Sequence, residues 1–364
     1  MRRGMDFIFI GLSLSSAWGN GHATTYRALL RALSERGHSV LFLERDVPWY
    51  RNNRDLDSPE YCELAFYDGL EDLKRWRARL AAAEAVVIGS YVPEGVAVGR
   101  WVRSIRRKPI AFYDIDTPIT LAKLARGDHE YLAPEQIAEY DIYFSFTGGP
   151  LLRYLESHYR SPQAAPLYCS FDPSLYYPED RIKLYDLGYM GTYSPDRQTP
   201  LEDLLVEPAR MWPQGKFVVA GPQYPSSVKW PLNVERIEHL PPSEHRSFYN
   251  SQRMTLNITR EAMIRWGYSP SVRLFEAAAC AVPIVSDYWE GLETFLKPGE
   301  EILISRTAQE TLSHLRNLRE SELFRLGHAA RDRVMAEHTA AHRAAELEAA
   351  IVAACNRREA ARLT

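Results

Sequence analysis

The sequence predicts an α/β protein built from two parallel-sheet domains. Three observations carry this. The chain has 364 residues, enough for two separate cores. Short, continuous apolar runs alternate with helix-period segments, the pattern of parallel strands covered on both faces. The same alternation starts again after a polar, proline-bearing stretch, SFDPSLYYPED, which reads as a linker and puts the boundary within Phe171–Asp180. The domains expected are 1–170 and 171–335, followed by an Ala-rich helical segment over 336–364.

The elements follow in order. FIFIG, from Phe7, is a first strand and leads into a loop. HATTYRALLRALSERG then places Tyr26, Leu29, Leu30 and Leu33 on one helical face, with Gly37 at the C-cap position. SVLFLE is a second strand, and AVVIGS, PIAFYDID and DIYFSF supply three more. In the second half YDLGYMG, KFVVAG, RIEHL, MTLNI, VPIVSD and EILIS read as strands, with helices around Arg273–Cys280 and Ala308–Asn317. Two such domains facing a cleft would bring ligands to the carboxyl ends of their strands, so the loops after strands are where chemistry is expected.

Composition narrows the function classes. With 46% hydrophobic and 25% charged residues, the chain is neither disordered nor fibrous. A net charge of −3 gives no global reason to expect a nucleic-acid partner, so any anion site must be local. The four cysteines, Cys62, Cys169, Cys280 and Cys355, are widely spaced, which argues against a zinc site or a disulfide framework and fits reduced thiols in the cytoplasm. The opening MRRGMDFIFIGLSLSSAWG superficially resembles a signal peptide, but Asp6 interrupts its apolar part and a strand plus loop describes it better. No stretch reaches the ~20 apolar residues of a membrane span.

Four constellations could carry chemistry. The loop GLSLSSAWGNGH, Gly11 to His22, has three glycines and feeds a helix N-terminus, which favours an anion. It is too long for a dinucleotide fingerprint, and GNGHAT lacks the third glycine, so Glu44 at the end of strand two is not expected to hold a nicotinamide ribose. Gly21 lets the backbone approach a ligand. His22 is either a general base or hydrogen-bond donor, or a solvated first-turn residue. In AFYDIDTPIT, Asp114 and Asp116 follow a strand and could bind a metal, deprotonate an acceptor or hold sugar hydroxyls; the alternative is an Asp-capped turn before Pro118. A haloacid-dehalogenase motif would need its threonine one position later.

GYMGTYSPDRQ offers a diphosphate cradle: Gly191 for close approach, Thr192 and Tyr193 beside it, and Arg197 as a fork of donors, with Gly221 ending a neighbouring strand in VVAGPQ. YSPSVRLFEAAACA is a loop running into a helix capped by Ser269 or Ser271. Arg273 would add a phosphate contact and Glu276 could accept two hydrogen bonds from a ribose diol. Helix packing accounts for Leu274 and Phe275 but not well for Glu276. Asp287, Tyr288, Trp289 and Gly291 follow the next strand, where the aromatics are either core or ligand faces.

These residues resemble the GT-B glycosyltransferases, two-domain enzymes with Rossmann-like sheets. The resemblance is closest to the CgeB-like (spore-maturation) group and to the retaining transferases with a Glu–seven residues–Glu motif. GNGHATTYRALLRALSERGHSVLFLE is similar to that fold's opening loop, helix and second strand. CSFDPSLYYPE resembles the interdomain segment, SVRLFEAAACAVPIVSD the family's LEAMACGxPVV, and WEGLETFLKPGEEILI the stretch after it. The resemblance implies that Glu276 holds the nucleotide ribose, that Gly191 lies near the diphosphate with Arg197 in the phosphate-binding role, that Leu274 and Ser269 belong to the donor site, and that the last helix crosses back to the first domain. Tyr268 stands where the motif's first glutamate belongs, and Ala281 replaces the usual glycine. The resemblance therefore implies a metal-independent transfer of sugar from a UDP- or dTDP-sugar, a co-substrate, with no cofactor, to an acceptor that the sequence does not name. His22 or Asp116 would be the base if the reaction inverts. A sugar-nucleotide 2-epimerase of the same fold, or a degenerate nucleotide- or glycan-binding protein, are the alternatives.

Overall fold

The computed structural model describes residues 4–19 and 21–363. The chain forms two compact units: one from the residues up to Cys169 together with those from Ala340 onward, the other from Ser170 to Thr339.

The first unit is built on a seven-stranded parallel sheet: β1 (Asp6–Gly11), β2 (Ser39–Arg45), β3 (Glu63–Tyr67), β4 (Ala85–Gly89), β5 (Ile110–Asp114), β6 (Ile142–Ser145) and β7 (Ala164–Pro166), in the order β3-β2-β1-β4-β5-β6-β7. Phe7, Ile8, Phe9 and Ile10 of β1 and Val86, Val87 and Ile88 of β4 are all buried, as continuous apolar runs between two helical layers should be. β3 and β7 are edge strands that the apolar runs did not announce. The helix His22–Glu35 follows β1 and ends as expected: Gly37 has φ of 86° and the His38 amide reaches back to the Leu33 carbonyl, 3.2 Å.

The final helix, Ala340–Leu363, belongs to this first unit. Ala344, Leu347, Ile351 and Ala354 are buried on one side of it. Its charges are tied to the sheet and to the His22 helix: Glu348 pairs with Arg36 and lies 3.3 Å from His38, and Arg358 forks onto Asp141.

The second unit has a six-stranded parallel sheet: β8 (Tyr185–Met190), β9 (Phe217–Ala220), β10 (Val234–Ile237), β11 (Gln252–Asn257), β12 (Ile284–Ser286) and β13 (Leu303–Ile304), ordered β10-β9-β8-β11-β12-β13. Counted from its own first strand this is 3-2-1-4-5-6, the order of the first six strands of the other unit. In each unit the order reverses beside the first strand, β1 next to β4 and β8 next to β11. Loops leaving those strands flank the crevice where open α/β sheets bind ligands. No helix among the described residues is long and apolar enough to cross a membrane.

Candidate active site

In the first unit the loop after β1 is fixed from beneath by one carboxylate. Glu44, at the end of β2, is fully buried and accepts hydrogen bonds from the Leu14 and Ser15 amides (2.7 and 2.9 Å) and from the Ser13 and Ser15 hydroxyls (3.1 and 2.7 Å). Four donors saturate it, which leaves no capacity for a ribose and agrees with the absence of a dinucleotide fingerprint. From outside, Arg27 grips the Leu14 carbonyl and forks onto Asp55. The loop is thus held on both sides as it delivers the chain to Gly21, the N-cap residue, and His22.

His22 meets residues from two other strand exits. Its Nε2 lies 3.4 Å from Asp116 Oδ2, and its ring stacks on Tyr91 at 5.7 Å between centroids. The Tyr91 hydroxyl donates to the same Asp116 oxygen at 3.0 Å. Tyr91 follows β4, and Asp116 is the N-cap of the helix Thr117–Ala125 after β5. Tyr91 adopts φ of 63°, a left-handed backbone that is costly for a non-glycine residue and that here sits in the histidine–aspartate cluster.

Asp114 and Asp116, two residues apart, have different fates. Asp114 is wholly buried and accepts from Thr120 at 2.9 Å, from the Asp116 amide at 3.2 Å and from the Tyr143 hydroxyl. Burial pushes its carboxyl up to about 6. It supports the turn that presents Asp116, and it is Asp116 that reaches His22. Among the described residues no three His, Cys, Asp or Glu side chains converge as metal ligands would.

In the second unit, β8 ends at Met190 and the chain leaves through Gly191, Thr192 and Tyr193. A Cβ on Gly191 would sit 2.6 Å from the Tyr189 hydroxyl and 3.0 Å from Arg273 Nη2; one on Gly221 would sit 2.1 Å from the Gly191 carbonyl, where φ is already 143°. Gly221 is therefore required by how closely the two strand exits approach, whereas a side chain at Gly191 would press on Tyr189 and Arg273. Tyr224 donates to the Gly191 carbonyl at 3.2 Å and packs edge-on to Tyr193. Arg197 turns back to the Thr192 carbonyl at 2.6 Å, with its Nε buried and unpartnered among the described residues.

The helix Val272–Ala279 carries the motif that drew the resemblance. Its N-cap is Ser271, but the Ser271 hydroxyl donates to Asn257 Oδ1 at 2.7 Å instead of capping the helix, and Ser269 is buried just before it. Arg273 is also buried. Its Nε donates to the Met190 carbonyl at 2.6 Å, its Nη1 to Asn257 at 2.8 Å, and its guanidinium lies over the Tyr189 ring. The structure thus uses Arg273 to tie this helix to the end of β8, whereas the sequence pattern suggests a phosphate contact. Leu274 is core. Glu276 is 1% exposed; Tyr249 donates to its Oε2 at 3.1 Å, while its Oε1 is buried without a partner among the described residues.

After β12, Asp287 accepts from the Thr259 amide and hydroxyl at 2.8 and 2.9 Å, which joins the exits of β11 and β12. Burial raises its carboxyl. Trp289 is core and packs on Phe295, whereas Tyr288 is exposed, so the two aromatics divide the alternatives between them. Gly291 faces the Tyr268 ring, where a Cβ would come within 2.4 Å. Ala281 has φ of 53°, and the Val282 amide reaches the Ala277 carbonyl at 3.1 Å, a helix end that ordinarily takes glycine. The alanine fills that turn in left-handed geometry, which explains how the motif survives without its glycine. Tyr176 and His245 also lie beside Glu276; Tyr176 stands in the segment CSFDPSLYYPE, which the sequence marks only as a linker, and His245 stands in no recognisable motif.

Residues 197–349 match a family model described as glycosyl transferase-like. Sucrose-phosphate synthase from Thermosynechococcus elongatus is 15% identical over 94% of this chain and 97% of its own, with a TM-score of 0.69. HepE from Anabaena, solved with UDP and glucose, is 11% identical over 96% of this chain and 100% of its own, TM-score 0.66. An alpha-glucosyltransferase solved with UDP-glucose and DNA containing an abasic site is 12% identical over 96% and 100%, TM-score 0.72. The sequence finds no significant match among curated proteins. The fold is GT-B. The second unit, from Arg197 onward, is thus similar in sequence to a glycosyl transferase-like family, and the whole chain shares its fold with sugar-transferring enzymes.

Proposed function

We propose that the protein transfers a sugar from a UDP- or dTDP-sugar to an acceptor hydroxyl without a divalent metal or other cofactor. The second unit holds the nucleotide. Gly191, Thr192, Tyr193 and Arg197 approach the diphosphate, backbone at Ser269–Leu274 and at Asp287–Gly291 lines the site, and Glu276 takes the ribose. The first unit receives the acceptor at Gly21, His22 and Asp116. Amides and arginine donors stabilise charge building on the departing diphosphate, a task otherwise given to a metal ion. Fold relatives solved with UDP make it the first nucleotide to try. The free cysteines favour the cytoplasm.

The observation that carries the reading is the pair of His22 Nε2 and Asp116 Oδ2 at 3.4 Å at the mouth of a braced loop. A carboxylate beside an imidazole fixes its tautomer and stabilises the imidazolium formed when the ring takes a hydroxyl proton. Nucleoside diphosphate release from UDP- and dTDP-sugars, measured with and without a chelator, tests the reaction. His22→Ala is expected to lower the rate by roughly 10²–10⁴-fold with donor affinity unchanged. Full activity of that variant would remove His22 as the base. A base acting in one displacement also predicts an inverted anomeric centre; a retained one would leave His22 orienting the sugar instead. Conversion of the sugar with its diphosphate bond intact would overturn the transferase reading.

A further inference from the structure

We propose that His245 is a positioning residue that keeps Glu276 charged for the ribose, and so sets the pH range in which the donor binds. The proposal rests on the donor-site reading above.

The geometry comes first. The Glu276 carboxylate is held between residues of a second helix, Pro242–Asn250, and the segment that opens the second unit. Tyr249 donates to Oε2, and His245 Nδ1 lies 3.9 Å from the same oxygen. The Tyr176 hydroxyl is 3.2 Å from His245 Nδ1. The other ring nitrogen, Nε2, is 3.3 Å from the Leu240 carbonyl, an acceptor only, so that nitrogen carries the hydrogen and Nδ1 is where a second proton adds. An imidazolium formed there puts a positive charge beside Oε2. Oε1 is buried with no partner among the described residues and is left for a ligand donor, which a ribose diol supplies.

Burial pushes the Glu276 carboxyl up to about 7, against the hydrogen bonds of Tyr176 and Tyr249 and the charge of Arg273. The other titratable groups facing it hold their state. Tyr176 and Tyr249 are raised well above the ordinary tyrosine range by burial, and burial likewise keeps the Cys280 thiol protonated. Arg273 is committed to Met190 and Asn257, and Arg246 and Glu179, beyond Cys280, pair with each other at 2.7 Å. That leaves a histidine, whose ring ordinarily ionises near neutrality, as the adjustable neighbour. As pH falls, Glu276 takes up a proton and becomes a poor acceptor for the diol. An imidazolium at His245 opposes that uptake, so removing it moves the loss of binding to higher pH.

The test is calorimetric titration with UDP-glucose or dTDP-glucose, whichever the wild type binds, between about pH 6 and pH 8.5, the range that brackets histidine ionisation. These diesters gain no proton there, so the protein alone sets the profile. Wild-type affinity is expected to fall towards low pH. His245→Gln is expected to match it at the alkaline end but to bind about fivefold more weakly near pH 7, its midpoint displaced upward by about one pH unit. Glu276→Gln should bind weakly at every pH, with no slope. A His245→Gln profile that superimposes on wild type, or that is weaker by one constant factor, would overturn the positioning role while leaving the donor site standing. Wild-type affinity for neither sugar, or unimpaired binding by Glu276→Gln, would bring down the donor site and the proposal together. Should His245→Gln lose its native circular dichroism, His245→Asn takes its place with the same expected upward displacement; an unmoved midpoint overturns the proposal.

Discussion

Single residues carry the tension between stability and use. Glu276 sits 1% exposed on a helix whose neighbouring positions, Leu274, Phe275, Ala277 and Ala278, are core. Its carboxyl is raised from 4.5 to about 7. A raised acid contributes stability that is fully present below 4.5 and is lost as pH rises through about 7. Above neutrality the ionised group therefore costs the ligand-free protein roughly 3 kcal/mol, at about 1.4 kcal/mol for each factor of ten in proton affinity. Glu276→Gln, isosteric and uncharged, is expected to melt several degrees above wild type at about pH 8.5 and to lose that advantage towards about pH 5. Scanning calorimetry of both ligand-free proteins at the two pH values decides it; a gain that does not depend on pH would show that burial of charge is not what the residue contends with. The same variant gives up donor binding, the exchange of function for stability expected of a site residue.

At the scale of elements, the structure turns on what braces each loop. The loop after β1 holds four donors to Glu44, which the sequence pattern raises only as a candidate ribose acid. Glu44→Ala would strand the Leu14 and Ser15 amides and the Ser15 hydroxyl in the interior, the Ser13 hydroxyl keeping the Ser16 carbonyl at 3.3 Å. At about 1–3 kcal/mol per orphaned buried group, the variant is expected to lose the fixed loop and His22 activity with it, while Glu44→Gln keeps part of the bonding and part of the rate. Proteolysis within 12–21 together with turnover measures this; a Glu44→Ala enzyme that resists proteolysis and keeps its rate would show that the loop needs no such anchor. Much of this architecture was legible in the sequence. Runs such as FIFIG, AVVIGS and KFVVAG announce strands because both faces are buried, and LFEAAACAVPIVSD announces its helix and strand because small residues pack that closely. β3 was not legible, since ELAFY opens with an exposed glutamate and is only half covered, and β7 was not, being three residues ending in proline at an edge. Arg273 and Asp114 look like ligand groups in the sequence because residue type does not reveal that a main-chain carbonyl, a tyrosine or an asparagine will already occupy them.

Across the whole molecule the strand order 3-2-1-4-5-6 occurs in both units, yet their covalent plans differ. The second unit is one continuous stretch, Ser170–Thr339, whereas the first is completed by a helix that comes last in the chain. The helix Glu320–Glu337 still belongs to the second unit: a Cβ on Gly327 would stand 2.1 Å from the Ala281 carbonyl, so this helix packs backbone-close on the turn after Glu276. The return to the first unit begins at Ala340. Ala344, Leu347, Ile351 and Ala354 then bury one side of the last helix, with Glu348 and Arg358 pairing to Arg36 and Asp141. Leu347 and Ile351 alone represent about 3–6 kcal/mol of burial, comparable with the roughly 5–15 kcal/mol that holds a typical domain together. A chain ending at Thr339 is therefore expected to lose slow amide exchange throughout β1, β4, β5 and β6 while β8, β9, β11 and β12 keep theirs, and to keep binding the nucleotide while losing transfer. Hydrogen exchange read by mass spectrometry separates the two sheets directly. Wild-type protection in β1 and β6 of the shortened chain would show that the first unit closes its core without the last helix, and that the chain's return serves some purpose other than stability.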